Sequence, residues 1–140
     1  MNLQKAVKIL SGVFKDWKLD FEVVHEAGDK RVKATGEFTI SGHDDHVFAR
    51  FSFYESGVSE YRFIFDKLTK TANTLQLVNA FNSETPWFKA FIDDDYLNVS
   101  HVVCYMTEDA LAEYTERVLS NLVDDDVKEF LVPLTKLTTD

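Results

Sequence analysis

The chain has little cysteine and no long apolar run. Cys104 is the single cysteine among 140 residues, so a disulfide framework is excluded and a reducing compartment is indicated. No segment approaches the roughly 18 consecutive apolar residues of a membrane span. The first ten residues break their apolar positions with Gln4, Lys5 and Lys8, which is not the pattern of a signal peptide. We therefore expect a cytoplasmic protein that does not insert into a membrane.

Positive charge is also scarce. Fifteen Lys and Arg stand against 24 Asp and Glu, which gives a net charge of −9. A nucleic-acid binder with this balance would have to gather its cations on one face of a repulsive molecule. Direct binding of nucleic acid is therefore not expected. The acidic surface favours solubility and suits a basic partner, but charge alone does not identify that partner.

Aromatic residues, in contrast, are abundant. They make up 14% of the chain and include 12 Phe, whereas disordered chains are poor in aromatics. A length of 140 residues suits one domain with one core. The sequence therefore predicts a single folded domain that spans residues 1–140.

A period of two dominates the first half of the chain. Residues 2–17 predict an amphipathic helix, and from residue 19 to residue 66 apolar and polar residues alternate between turn-forming segments. In Val47–Tyr54, for example, Val47, Ala49, Phe51 and Phe53 share one face of a strand. Four consecutive strands in this region predict an antiparallel meander with one wet face.

Helices and a hairpin follow the meander. We predict a helix over 70–83 that ends before Pro86, a hairpin of Trp87–Ile92 and Tyr96–Met106, and helices over 107–135. The resulting order is α-β4-α-β2-α, an α+β fold with an antiparallel sheet and helices collected on one face. The predicted core includes Phe51, Phe53, Phe63, Phe65, Leu75, Phe81 and Leu111.

The segment Leu75–Asn82, followed by the aromatic strand Pro86–Ile92, an acidic turn and a second strand, resembles the YbjN family. Members of that family share the fold of type III secretion chaperones. The resemblance is strongest over residues 70–135 and follows topology elsewhere. It implies an α+β protein that dimerises or binds protein partners, and it brings no catalytic residues.

Three acidic segments carry side chains of the types that bind metal ions. Gly42–His46 holds two imidazoles and two carboxylates, the donor types of a Zn²⁺ site, but the tight spacing favours a solvated turn. The runs Asp93–Asp95 and Asp124–Asp126 lack the glycine and distal glutamate of an EF-hand loop. They are typical of a hairpin turn and of a helix N-terminus. We expect no metal and no cofactor.

Catalysis is not expected either. Cys104 would need a base, and the nearest candidate in sequence, His101, lies an odd number of strand positions away, on the opposite face. The sequence also has no phosphate-binding glycine loop, GxSxG elbow or HExxH motif. We therefore expect a buried, inert cysteine and a protein that is not an enzyme.

The wet face of the predicted sheet is the candidate partner-binding surface. It mixes apolar and charged side chains, as non-obligate protein interfaces do. The candidate binding residues are Phe48, Arg50, Tyr54, Arg62 and Trp87, and further apolar residues placed on that face are Val24, Phe88 and Val102. The sequence predicts a non-enzymatic protein-binding module, chaperone-like or regulatory, that forms a homodimer.

An acidic inhibitor that mimics nucleic acid is the alternative. Such a protein would block the basic groove of a nucleic-acid-handling enzyme. This reading requires Asp44, Asp45 and the runs Asp93–Asp95 and Asp124–Asp126 to form one stripe at phosphate-like spacing. An apolar patch on the surface favours the binding module, and a continuous acidic stripe favours the mimic.

Overall fold

The computed structural model describes residues 1–40, 47–69, 71 and 73–137. The helices and strands of this part follow the predicted order, with two helices at the C-terminal end. They are α1 (Leu3–Asp16), β1 (Glu22–Val24), β2 (Arg31–Phe38), β3 (Val47–Tyr54), β4 (Ser59–Lys67), α2 (Thr74–Glu84), β5 (Lys89–Asp93), β6 (Tyr96–Val103), α3 (Glu108–Leu122) and α4 (Asp125–Thr135).

The six strands form one antiparallel sheet in the order β1-β2-β3-β4-β6-β5. The first four strands are the predicted meander. The hairpin of β5 and β6 joins it through β6, which pairs with β4 and leaves β5 at the edge. The α+β class and the sheet of a four-stranded meander plus a hairpin are thus confirmed.

The core lies between the sheet and the helices. Alternation along β3 turns Phe51 and Phe53 inward, and the buried residues of the strands and helices form one cluster. A hydrogen bond of 2.8 Å between the hydroxyl groups of Tyr61 and Thr115 joins β4 to α3. Helix α1 begins after Asn2, whose side chain accepts a hydrogen bond from the N–H of Lys5.

Six of the seven predicted core residues are buried, and Leu75 is the exception. Its side chain is 69% exposed. In the first turn of α2 the inward position belongs to Thr74, whose hydroxyl accepts a hydrogen bond from the N–H of Thr71. Because neighbouring helix positions differ by about 100°, Leu75 turns outward. The prediction for Leu75 was wrong.

Side chains of the segment that ends α2 cover the edge strand β5. The amide group of Asn82 accepts a hydrogen bond from the N–H of Ala90 (2.6 Å) and donates one to its carbonyl oxygen (3.1 Å). Asn82 therefore takes the place that a further strand would occupy beside Ala90. Blocking an edge in this way protects a sheet against unwanted pairing.

The helices of the structure can be compared with the dimensions of a membrane-spanning helix. Among the described residues, no helix combines the length and the apolar character needed to cross a membrane.

Candidate protein-binding surface

The side of the sheet that faces away from the core is named here the open face. It presents exposed apolar side chains, with Phe48 at 43% and Val102 at 53% of full exposure. Its residues on the meander alternate with core residues and are Arg31, Lys33, Thr35, Glu37, Phe48, Arg50, Ser52, Tyr54, Val58, Glu60, Arg62 and Ile64. On the hairpin it continues through Phe91, Ser100 and Val102, whereas Asn98 on the same side of β6 is only 2% exposed.

Cross-strand register arranges β3 and β4 into four rows on the open face. The two outer rows are apolar and the two inner rows are polar. The rows are Phe48 opposite Ile64, Arg50 opposite Arg62, Ser52 opposite Glu60, and Tyr54 opposite Val58. The result is a polar band between two apolar bands, a mixed surface of the kind found in protein interfaces.

Arg50 and Arg62 lie directly opposite each other, and their partners differ. Arg62 lies 3.0 Å from a carboxylate oxygen of Glu60 and donates a second contact of 3.1 Å to the other oxygen. Its guanidinium carbon also lies 5.3 Å from the ring centre of Phe91, a cation–π contact. Within the described chain, Arg50 forms no ion pair. Opposed like charges destabilise a sheet, so an external carboxylate would find a favourable site beside Arg50.

Four of the five candidate binding residues lie on the open face, and Trp87 does not. Trp87 precedes β5, and its ring lies 5.0 Å from His101 and 5.7 Å from Tyr114 of α3. It therefore packs on the helix side of the sheet. Phe88, also expected on the open face, is fully buried. Both placements were wrong because Trp87–Ile92 is almost continuously apolar and gives no alternation to follow.

Three open-face residues were missed as candidates: Val58, Ile64 and Phe91. The signal for Val58 and Ile64 was present, because they alternate with Ser59, Tyr61 and the inward Phe63. Phe91 belongs to the continuously apolar segment, so only its pairing with Asn98 of β6 fixes its face.

Both ring nitrogens of His101 form hydrogen bonds in the cluster of Trp87, His101 and Tyr114. The Trp87 carbonyl accepts a hydrogen bond from Nδ1 of His101, and Nε2 lies 2.6 Å from the Tyr114 hydroxyl, which donates to it when the imidazole is neutral. Burial lowers the pKa of His101, and the bond to Trp87 opposes that shift in part. Burial also raises the pKa of Tyr114. The cluster fastens the sheet to α3.

A pH-dependent stability follows from this cluster. Because the pKa of His101 is lower in the folded chain than in the unfolded chain, the unfolded chain binds the proton first as the pH falls. The stabilisation is complete above about pH 6.5 and is lost below it. One proton limits the slope to about 1.4 kcal/mol per pH unit, and partial exposure reduces it.

Urea unfolding from about pH 7 to about pH 5.5 measures this slope. We expect the free energy of unfolding to fall with pH in the wild type and to fall less in His101→Asn. An equal slope in both proteins would show that His101 is not the group responsible.

The chain matches no protein-family model, and no curated protein is significantly similar to it. The resemblance of residues 70–135 to the YbjN family stays a prediction. The functional assignment therefore depends on the geometry of the open face.

Cys104 lies just beyond the end of β6 and is exposed. The prediction that it is buried was wrong, because the strand ends at Val103 and Tyr105 turns the backbone with φ 64°. In the part of the chain that the structure describes, no three His, Cys, Asp or Glu side chains are placed to hold a metal ion. The segment Gly42–His46 lies outside the described residues.

The acidic runs that the mimic requires lie near opposite ends of β5. Asp94 and Asp95 form the turn after β5, whereas Asp124 and Asp126 line a cavity of about 240 Å³ beside Trp87, just before β5. Five strand residues span roughly 17 Å. Asp44 and Asp45 lie outside the described residues. The mimic stays a prediction.

Proposed function

We propose that this chain is a non-enzymatic protein-binding module, chaperone-like or regulatory, which associates through the open face and forms a homodimer. The observation that carries the proposal is the exposure of Phe48, Tyr54 and Val58 in the two apolar rows, beside Arg50, which forms no ion pair with the described residues. Exposed apolar surface next to arginine is the composition of a non-obligate interface.

The size of the open face supports the same proposal. Six strands lie about 4.8 Å apart, and the longer ones hold eight residues at about 3.3 Å each. Because β1 and β5 hold only three and five residues, the strands of the face cover about 650 Å². Standard interfaces bury about 600–1,000 Å² on each partner, so one copy of the face reaches the lower end of that range.

Two further features support the finer parts of the proposal, one from the sequence and one from the structure. The resemblance of residues 70–135 to the YbjN family favours a protein partner and a chaperone-like role. The exposed, unpaired thiol of Cys104 suits a reducing compartment, so we place the protein in the cytoplasm.

Light scattering tests self-association. At tens of micromolar, the wild type is expected to show twice the chain mass of 16.1 kDa. Phe48→Ser removes an apolar side chain from the open face and should weaken the dimer at least tenfold. Leu75→Ser is the control, because Leu75 is exposed on α2 rather than on the open face.

A mass near that of one chain at every concentration would refute the homodimer. A dimer that Leu75→Ser weakens as much as Phe48→Ser would place the interface elsewhere.

A further inference from the structure

The open face of β3 is chemically self-complementary about its midpoint, Phe51. Phe51 itself points into the core, and the open-face residues lie one and three positions away from it on either side. The residue one position away is polar, and the residue three positions away is aromatic. Read outward from Phe51, the pairs are Arg50 with Ser52 and Phe48 with Tyr54. A strand with this pattern can meet an antiparallel copy of itself with apolar groups against apolar groups.

The neighbouring strands share this midpoint. The face of β4 is arranged about Tyr61, with Glu60 and Arg62 as the inner pair, and Tyr61 is the register partner of Phe51. In β2 the register partner of Phe51 is Ala34, and Arg31 and Glu37 stand equally far from it. The three midpoints therefore lie in one row across the sheet.

We infer that two copies of this chain stack open face against open face about a two-fold axis that runs across the strands, above the row of Ala34, Phe51 and Tyr61. The inference rests on the proposed self-association and adds its arrangement. Such an axis makes the strands of the two copies antiparallel, in the manner of two aligned sheets about 10 Å apart. It also makes the interface isologous, so each contact occurs twice.

Charge and apolar character match across this axis. Arg62 of one copy lies over Glu60 of the other, and Arg50 enters the same polar band, where it gains a carboxylate that the described residues of its own chain do not offer. Phe48 lies over Tyr54 of the second copy, and Ile64 lies over Val58. At the next strand, Arg31 lies over Glu37.

The other two-fold stacking of the same faces is unfavourable. An axis parallel to the strands, between β3 and β4, would bring Arg50 of one copy over Arg62 of the other. Each copy would then place its row of two arginines on the same row of its partner. Like charges brought together in an interface weaken it strongly, so the register itself favours the axis that crosses the strands.

A charge exchange tests this arrangement. Arg62→Glu places Glu against Glu60 of the second copy, and Glu60→Arg places Arg against Arg62, so each variant alone repels itself twice. Mixed in equal amounts, the two variants restore two opposite-charge contacts. Analytical ultracentrifugation should show each variant dimerising at least tenfold more weakly than the wild type, and the mixture recovering most of that loss.

The control is Arg117→Glu. Arg117 and Glu113 form an ion pair within α3, at 3.2 Å, on the helix side of the molecule. The substitution breaks an Arg–Glu pair and changes the charge as Arg62→Glu does, so dimerisation should remain as in the wild type.

Arg62 is partly buried in its own chain, so Arg62→Glu also disturbs the fold of the monomer. Arg50→Glu is therefore a second test, at a position where the substitution should not destabilise the monomer. The new carboxylate would lie opposite Arg62 in the same sheet and relieve the repulsion there. We expect its urea midpoint, measured at a concentration where both proteins are monomeric, to exceed that of the wild type, while its dimerisation weakens.

The outcomes separate the two proposals. If the wild type is monomeric, both fail. If Arg62→Glu and Glu60→Arg each weaken the dimer and the mixture does not recover, the open face is the interface and the inferred axis is wrong. If neither variant weakens the dimer, the interface lies elsewhere and the inferred axis fails with it.

Discussion

Replacing Phe51 with alanine is expected to lower the free energy of unfolding by about 3–5 kcal/mol. Phe51 is fully buried at the middle of β3. Its ring contacts aromatic rings from α1, from the segment before β1 and from both central strands, at centroid distances of 5.0–6.4 Å: Phe14, Phe21, Phe53, Tyr61 and Phe63. The loss combines the transfer of the ring from water with the cavity left among neighbours that cannot collapse.

Phe48→Ala is the matched control for Phe51→Ala. The two residues are of the same type on the same strand, but Phe48 lies on the open face and is 43% exposed. Its truncation should cost less than about 1 kcal/mol in the monomer and should weaken self-association instead. Urea unfolding at a fixed low protein concentration compares the two variants. Equal losses would show that the two faces of β3 are wrongly assigned.

The strands of the meander could be predicted because each has one dry and one wet face. Period-two alternation then gives both the type of element and the direction of every side chain. The predicted segment Val47–Tyr54 has the bounds of β3. For the same reason Phe48, Arg50, Tyr54 and Arg62 were placed on the open face correctly from the sequence.

The side-chain directions in the segment before and within β5 could not be predicted from alternation. Trp87–Ile92 is apolar at nearly every position, because the residues at its start pack against α3 and the core rather than following a strand. The strand begins only at Lys89. Alternation carries no information in such a run, so the sequence misplaced Trp87 and Phe88 and did not identify Phe91.

The row pattern of the open face needs information that one strand does not contain. Alternation shows that Arg50 and Arg62 point to the same side of the sheet. That they lie directly opposite each other depends on the length of the turn between β3 and β4, which sets the register. The common midpoint of Phe51 and Tyr61 therefore emerged only from the pairing of the strands.

The role of Asn82 also depends on tertiary contacts. In the sequence, Asn82 ends the segment Leu75–Asn82, which is part of a family resemblance that gives no function to any single residue. In the folded chain Asn82 bonds both backbone groups of Ala90. A polar side chain in a helix gives no sequence signal for the strand edge that it covers, since that edge lies eight residues further along.

Asn82→Ala is expected to lower the free energy of unfolding by roughly 1–3 kcal/mol, because it leaves the N–H and the carbonyl oxygen of Ala90 without their partners. Ala90 is only 3% exposed, so water replaces the amide poorly. Asn79→Ala is the matched control, since Asn79 is an exposed asparagine of the same helix. Urea unfolding gives the difference, and amide hydrogen exchange at Ala90 should become faster in Asn82→Ala alone.

The uncovered edge of β5 should also promote aggregation by strand pairing, which light scattering would detect as masses above that of a dimer. If Asn82→Ala and Asn79→Ala lose the same stability and exchange alike at Ala90, the edge of β5 is protected by the packing of α2 and not by the Asn82 amide.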